Sequence, residues 1–160
     1  MNNRVDKKNA QDSIKPNELL TGTIIGCGFD VINELGSGFL ESVYEKSLLI
    51  ALQQKKLRVE AQKPLKVHFR GQLVGDFFAD LIVENTVLIE LKAIRSLVPQ
   101  HEAQIINYLQ ATGIEVGLLL NFGNPRLEYK RFTRKKNPAH PVNPCNDSNS
   151  LVPQIETLNL

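Results

Sequence analysis

The chain has 160 residues, enough for one domain with a sizeable apolar core, and its 42% hydrophobic and 22% charged residues are ordinary for a soluble globular protein. A formal net charge of +2 is too small to mark a general polyanion binder, no apolar run approaches the roughly 20 residues that span a bilayer, and the polar N-terminus lacks the apolar stretch of a signal peptide. Two cysteines, Cys27 and Cys145, form neither a disulfide framework nor a zinc-ligand spacing, so a reducing, cytoplasmic setting is expected.

Residues 1–16 carry few apolar side chains and read as a flexible leader, leaving 17–132 as the folded unit. Asn17 is the expected N-cap of a first helix that turns Leu20, Ile24, Val31 and Leu35 inward and ends near Gly36. Gly22, Gly26 and Gly28 each cost such a helix about 1 kcal/mol relative to alanine, which implies either a close backbone approach or an interrupted helix. A second helix after Ser37 places Leu40, Val43, Tyr44, Leu48 and Leu52 inside.

The apolar period then changes to two. Short strands are expected over 57–61, 65–69, 73–78, 79–83 and 87–93, with a hairpin turn at Arg70-Gly71, which together make a meander. Pro99 opens a third helix with Ile105, Ile106 and Leu109 apolar, and Gly113 stops it. A leucine-rich strand over 116–122, buried on both faces, and an edge strand over 127–132 complete an α/β (α+β) arrangement in which helices cover the sheet. From 133 to 160, Pro138, Pro141, Pro144 and Pro153 stand among Asn and Ser, and this tail is expected to be disordered.

The segment from Asp80 to Lys92 interrupts two apolar strands with two acids and a lysine. With the turn centred on Asn85, Asp80 stands across from Glu90, and Lys92 lies one same-face step beyond. Two carboxylates held this close raise each other's pKa, and a divalent cation relieves the conflict; hard oxygen ligands of this kind suit Mg²⁺ or Mn²⁺. Lys92 would then orient or help deprotonate a water and stabilise charge developing on a phosphate. The competing reading is a solvent-facing hairpin with a cross-strand ion pair, against which Leu81, Val83, Ile89 and Leu91 mark the other face as core.

Two more groups carry polar chemistry. Glu41 and Tyr44, three apart on the second helix, follow Gly38 and share a face near its positive end. On the third helix His101, Gln104, Tyr108 and Ala111 form a stripe that either faces water or lines a cleft. Arg126, Lys130, Arg131, Arg134, Lys135 and Lys136 form a basic run, either a solvated strand end or a phosphate-binding patch.

Taken as they stand, the segments ELGSGFLESVYEKSL, ADLIVENTVLIELKAI, HEAQIINYL and LLLNFG resemble the GxxExxY family, which is grouped with the PD-(D/E)xK nuclease-like superfamily. The resemblance implies a restriction-endonuclease-like core, a central mixed sheet flanked by helices. It implies Asp80 and Glu90 as metal-ligating acids, Glu41 as an additional acidic site residue and metal ligand, Lys92 as the catalytic lysine, Gln104 facing the site, and Tyr44 completing the motif. The expected activity is Mg²⁺- or Mn²⁺-dependent hydrolysis of phosphodiesters in DNA, with RNA left open, and with Arg126, Lys130 and Arg131 gripping the nucleic-acid backbone. The alternative is a nucleic-acid- or protein-binding module that keeps the fold without useful turnover. Two cysteines exclude the four-cysteine iron-sulfur cluster of some relatives.

Overall fold

The structure, a computed structural model, describes residues 16–134. The expected leader and tail lie almost wholly outside the described residues. Pro16, assigned to the leader, opens the first helix, and Thr133, assigned to the tail, closes the last strand.

Helix α1 spans Pro16–Leu35. Proline serves as a first helical residue because its missing N–H would be unpaired there anyway. Asn17 therefore lies inside the helix instead of capping it, and its carbonyl accepts a bond from Thr21 Oγ1 at 2.8 Å. The helix is unbroken: Gly22 and Gly26 face open space, whereas at Gly28 a Cβ would collide with the Leu127 side chain, so only this glycine marks a close approach. Ile24, Cys27, Val31 and Ile32 are buried, while Leu35, expected inside, is 39% exposed.

Helix α2 spans Glu41–Gln54 and buries Tyr44, Leu48 and Leu52, which recur every four residues on one face. Leu40 occupies the N-cap and is 77% exposed, a correction to the inward position expected for it. The cap residue has already left the helical phase, so the periodicity does not apply to it.

Strands β1 (Val59–Phe69), β2 (Gln72–Val83), β3 (Val87–Lys92), β4 (Val116–Asn121) and β5 (Glu128–Thr133) form one sheet in sequence order. All neighbours are antiparallel except β3 and β4, whose parallel pairing requires the crossover helix α3, Pro99–Thr112. The four short strands expected before 87 merge into two long ones. Arg70 and Gly71 make the turn between them with φ of 50° and 79°. Between β2 and β3, Glu84 and Asn85 take φ of 51° and 56°, and Thr86 N–H closes the turn on the Val83 carbonyl at 3.0 Å. This sets the expected register: Val83↔Val87, Ile82↔Leu88 and Leu81↔Ile89.

The molecule has three layers. Helices α1 and α2 pack on one sheet face against Leu81, Val83, Ile89, Leu91, Leu118 and Leu120. Helix α3 covers the other through Ile105, Tyr108 and Leu109 against Leu65, Ala79, Ile82, Leu88 and Leu119. Ile106, expected inside, is 44% exposed, and Tyr108 takes the buried position. Every residue of β4 is buried, as expected for a strand covered on both faces. Beyond Ala79 the β1–β2 hairpin pairs only with itself and projects as an arm with exposed Phe69, Phe77 and Phe78. Among the described residues no helix is long and apolar enough to cross a membrane.

Candidate active site

Asp80 lies where β2 parts from β3. The ladder runs through Leu81↔Ile89 and stops one step short of the Asp80–Glu90 pair expected from the sequence. There the Leu91 N–H donates to Asp80 Oδ2 at 2.7 Å, so a side-chain carboxylate supplies the acceptor that a strand carbonyl supplies elsewhere in a ladder. The pleat reverses at this point: Ala79 packs with α3, while Leu81, two residues on, packs with α1 and α2.

Opposite Asp80, between the pairs Ala61↔Leu81 and Lys63↔Ala79, Gln62 sits in β1 with φ of 50°. Its amide donates to Glu45 Oε2 at 2.8 Å and also hydrogen-bonds Asp80. The sequence reading missed both Gln62 and Glu45. Glu45 lies four residues after Glu41 on the same helical face, a spacing that would have found it. A left-handed glutamine within a strand has no sequence signal.

Glu90 is 3% exposed. Its Oε1 accepts Lys92 Nζ at 2.7 Å and Gln104 Nε2 at 2.8 Å, while Oε2 is buried without a partner among the described residues. Gln104 Nε2 also donates to the Tyr108 hydroxyl at 2.9 Å, so this part of the α3 stripe lines the site rather than facing water. His101 belongs to the helix start instead, its Nδ1 accepting the Val98 N–H at 3.2 Å.

Glu41 is the first residue of α2, where the helix dipole favours a negative charge, and its carboxylate accepts a bond from the Ala93 N–H. Gly38, at φ of 111°, makes the preceding loop possible. Tyr44 is fully buried; its hydroxyl donates to the Gly36 carbonyl at 2.8 Å and accepts the Phe39 N–H at 3.2 Å, and its ring stacks on Phe122 at 4.8 Å. These bonds tie Tyr44 to the loop that presents Glu41, not to the acid cluster itself.

The segment after Lys92 is held by a second device. Buried Asn121 accepts the Ile94 and Gly123 N–H groups at 3.1 Å each and donates to the Ile94 carbonyl at 2.9 Å, and Phe122 N–H donates to the Lys92 carbonyl at 2.7 Å. A Cβ at Gly123 would run into the Ile94 backbone. The Asn-Phe-Gly of the sequence thus fixes Lys92 and the Ala93 N–H in place.

Burial is the main influence pushing Glu90 up from 4.5 to about 7, with the Asp80 charge adding and Lys92 opposing. Burial likewise raises Asp80, Glu41 and Glu45, and these acids feel one another's charge. Burial alone would lower Lys92, but its bond to Glu90 and the charges of Glu90, Glu41 and Asp80 hold it above the ordinary lysine value. Glu41, Asp80 and Glu90 therefore form one electrostatic cluster around the Lys92 ammonium, with Glu45 at its edge, coupled to Asp80 and Glu41 and also to Lys46. Hard oxygen donors in excess, one of them buried and partnerless, match the chemistry of a divalent cation site. As placed, no group of three or more His, Cys, Asp or Glu among the described residues is arranged to hold a metal ion.

Among the described residues the basic run does not form one patch. Lys130 Nζ pairs with Glu102 Oε1 at 2.6 Å, neighbouring Arg131 points to the other side of the strand, and Arg126 is exposed in the β4–β5 loop. Lys135 and Lys136 lie outside the described residues.

A family model described as the PD-(D/E)XK nuclease superfamily matches residues 18–132, and the chain belongs to that superfamily. Among solved structures, the crystal structure of SSO0001 aligns with a TM-score of 0.50 at 20% identity, over 61% of this chain and 52% of that one, a likeness of fold. An alkaline exonuclease from Laribacter hongkongensis, LHK-Exo, aligns at 0.42 and 14% identity over 54% of this chain and 52% of that one. LHK-Exo in complex with dAMP aligns at 0.42 and 12% over 71% and 81%. The chain thus spans about half the length of SSO0001 and of the first LHK-Exo structure. No curated protein matches the sequence.

Proposed function

We propose that the protein is a divalent-cation-dependent phosphodiesterase acting on nucleic acid, DNA first, in the manner of a GxxExxY-type member of its superfamily. The observation that carries this reading is the buried, partnerless Oε2 of Glu90 beside Asp80 and Glu41, since a carboxylate oxygen is rarely left so without a functional reason. Asp80, Glu90 and Glu41 would hold Mg²⁺ or Mn²⁺. When bound, the ion supplies charge neutralisation and polarisation of a phosphoryl oxygen.

The chain's own groups do the rest. Lys92, held as an ammonium by the acids around it, donates toward the scissile phosphate and orients the attacking water. Gln104 holds Glu90 Oε1 from the α3 side and so sets which oxygen faces the site. Tyr44 acts through the loop that carries Glu41. Exposed Arg126 and Arg131, and Lys130 once released from Glu102, would contact the phosphate backbone.

A second reading, a nucleic-acid- or protein-binding module without turnover, draws on the fact that the acids as placed do not form a three-ligand set. Calorimetric titration with Mn²⁺ separates these readings when combined with cleavage assays on single- and double-stranded DNA and RNA. Binding that Asp80→Ala abolishes, together with cleavage, is the expected result. Metal binding with no cleavage on any substrate leaves the module. Lys92→Met is expected to abolish cleavage with metal affinity retained, and undiminished cleavage would remove the lysine from the mechanism.

A further inference from the structure

Between the projecting β1–β2 arm and α3 runs a groove of about 1000 Å³, lined on the arm side by Val67 and Phe77 and on the helix side by Gln104, Asn107 and Tyr108, with Arg134 also on its wall. It adjoins the acid cluster directly: the same Gln104 that lines the groove donates to Glu90 Oε1 at 2.8 Å and to the Tyr108 hydroxyl at 2.9 Å. Whatever occupies the groove therefore lies one side chain away from Glu90.

The lining is selective in its chemistry. Phe77 contacts Tyr108 at 5.7 Å between ring centroids, tilted by 48°, yet 44% of it remains exposed. The contact anchors the ring and leaves much of it open, the condition for a stacking platform. Asn107, exposed on α3, offers both a donor and an acceptor, the complement of a base edge. Arg134 is half-buried on the wall, and its guanidinium supplies a cation suited to phosphate. An aromatic face, an amide and a guanidinium together match a nucleotide with its base exposed. Base pairs in a duplex keep their faces stacked on one another and offer none to Phe77.

We propose that this groove binds the unpaired bases of a single-stranded nucleic acid, one of them stacked on Phe77, and leads the strand to the acid cluster. The inference rests on the phosphodiesterase reading for what happens at Glu90, but binding is scored without turnover. Fluorescence anisotropy with labelled oligothymidylate, in chelator and in an Asp80→Asn background, reads the groove alone. Stacking contributes about 1–3 kcal/mol per base, so Phe77→Ala should weaken binding about 5- to 140-fold. Phe77→Trp should restore it, whereas Phe77→Leu, apolar but without a π face, should stay weak. Affinity for the duplex with oligodeoxyadenylate should hardly change. Thermal melting checks that the variants, altered at a half-exposed position, are folded. Equal binding by Phe77→Leu and the parent overturns the proposal and makes the groove a generic apolar dock, and no binding of the single strand overturns it outright. Should the wild type cleave nucleic acid while Phe77→Ala binds and cleaves normally, the groove assignment alone falls. Phe77-dependent binding without cleavage by wild type instead removes the phosphodiesterase and leaves the groove.

Discussion

Glutamine at position 90, the nearest neutral mimic of the buried acid, is expected to stabilise the folded chain at alkaline pH in the presence of chelator. Its Oε1 keeps the bonds from Lys92 and Gln104, and Oε2, already partnerless, becomes an amide group in the same place. Glu90 rises from 4.5 to about 7 on folding. At about 1.4 kcal/mol per pH unit, holding the buried carboxylate ionised costs about 3 kcal/mol. The folded chain retains this proton up to about pH 7 while the unfolded chain releases it near 4.5, so the folded state binds more protons in between. The contribution of Glu90 to wild-type stability consequently falls as pH rises through that window and does not recover above it. Urea unfolding of wild type and Glu90→Gln should agree to within about 1 kcal/mol near pH 5 and separate to about 3 kcal/mol in favour of the variant above pH 8. Saturating Mn²⁺ should reverse the order, since the ion stabilises only the chain that binds it. A variant less stable than wild type by the same margin at both pH values in chelator would refute the claim that ionised Glu90 is a net cost to the fold.

Mn²⁺ affinity should rise with pH up to about 7 and level off beyond, as the proton on Glu90 is displaced, a trend that titration calorimetry at several pH values will read. Asn121→Ala should cost about 1–3 kcal/mol in urea unfolding, because it leaves the half-buried Ile94 N–H and carbonyl unpaired. Tyr44→Phe should cost about 1 kcal/mol and weaken Mn²⁺ binding, since the loop ahead of Glu41 loses its only bonds to that hydroxyl while the ring stays on Phe122; unchanged metal affinity would detach Tyr44 from the site.

Much of the scaffold was legible because it follows from short-range rules. The β2–β3 register came from the turn at Asn85 and the alternation of Leu81, Val83, Ile89 and Leu91, and both reflect local backbone geometry. The stop at Gly113 and the burial of β4 followed in the same way. The misplacements share a cause: Leu40, Leu35 and Ile106 lie at helix ends or off the packed face, where periodicity says apolar but tertiary contact decides. At the site, residue types pointed to Asp80, Glu90 and Lys92, yet nothing local says that β2 leaves the ladder at Asp80. That divergence depends on Gln62 across the strand and on which helix covers each side of the pleat. Asn121 and Gly123 were visible only as a family signature, because Asn121 acts through bonds to Ile94, 27 residues earlier in the chain, and Gly123 through its close approach to the same backbone.

The clamp that Asn121 places on Ile94 divides the connection into α3 into two unequal parts. Through Ile94 the main chain is pinned on both of its polar groups, so an added residue there would drag Lys92 and the Ala93 amide out of place. Past that knot, Arg95 and Ser96 are open to solvent, and length can change at the surface. Grafted peptides, affinity handles or natural insertions should be accommodated between Ser96 and Leu97, and one residue spliced in before Ile94 should do more harm than many placed after it.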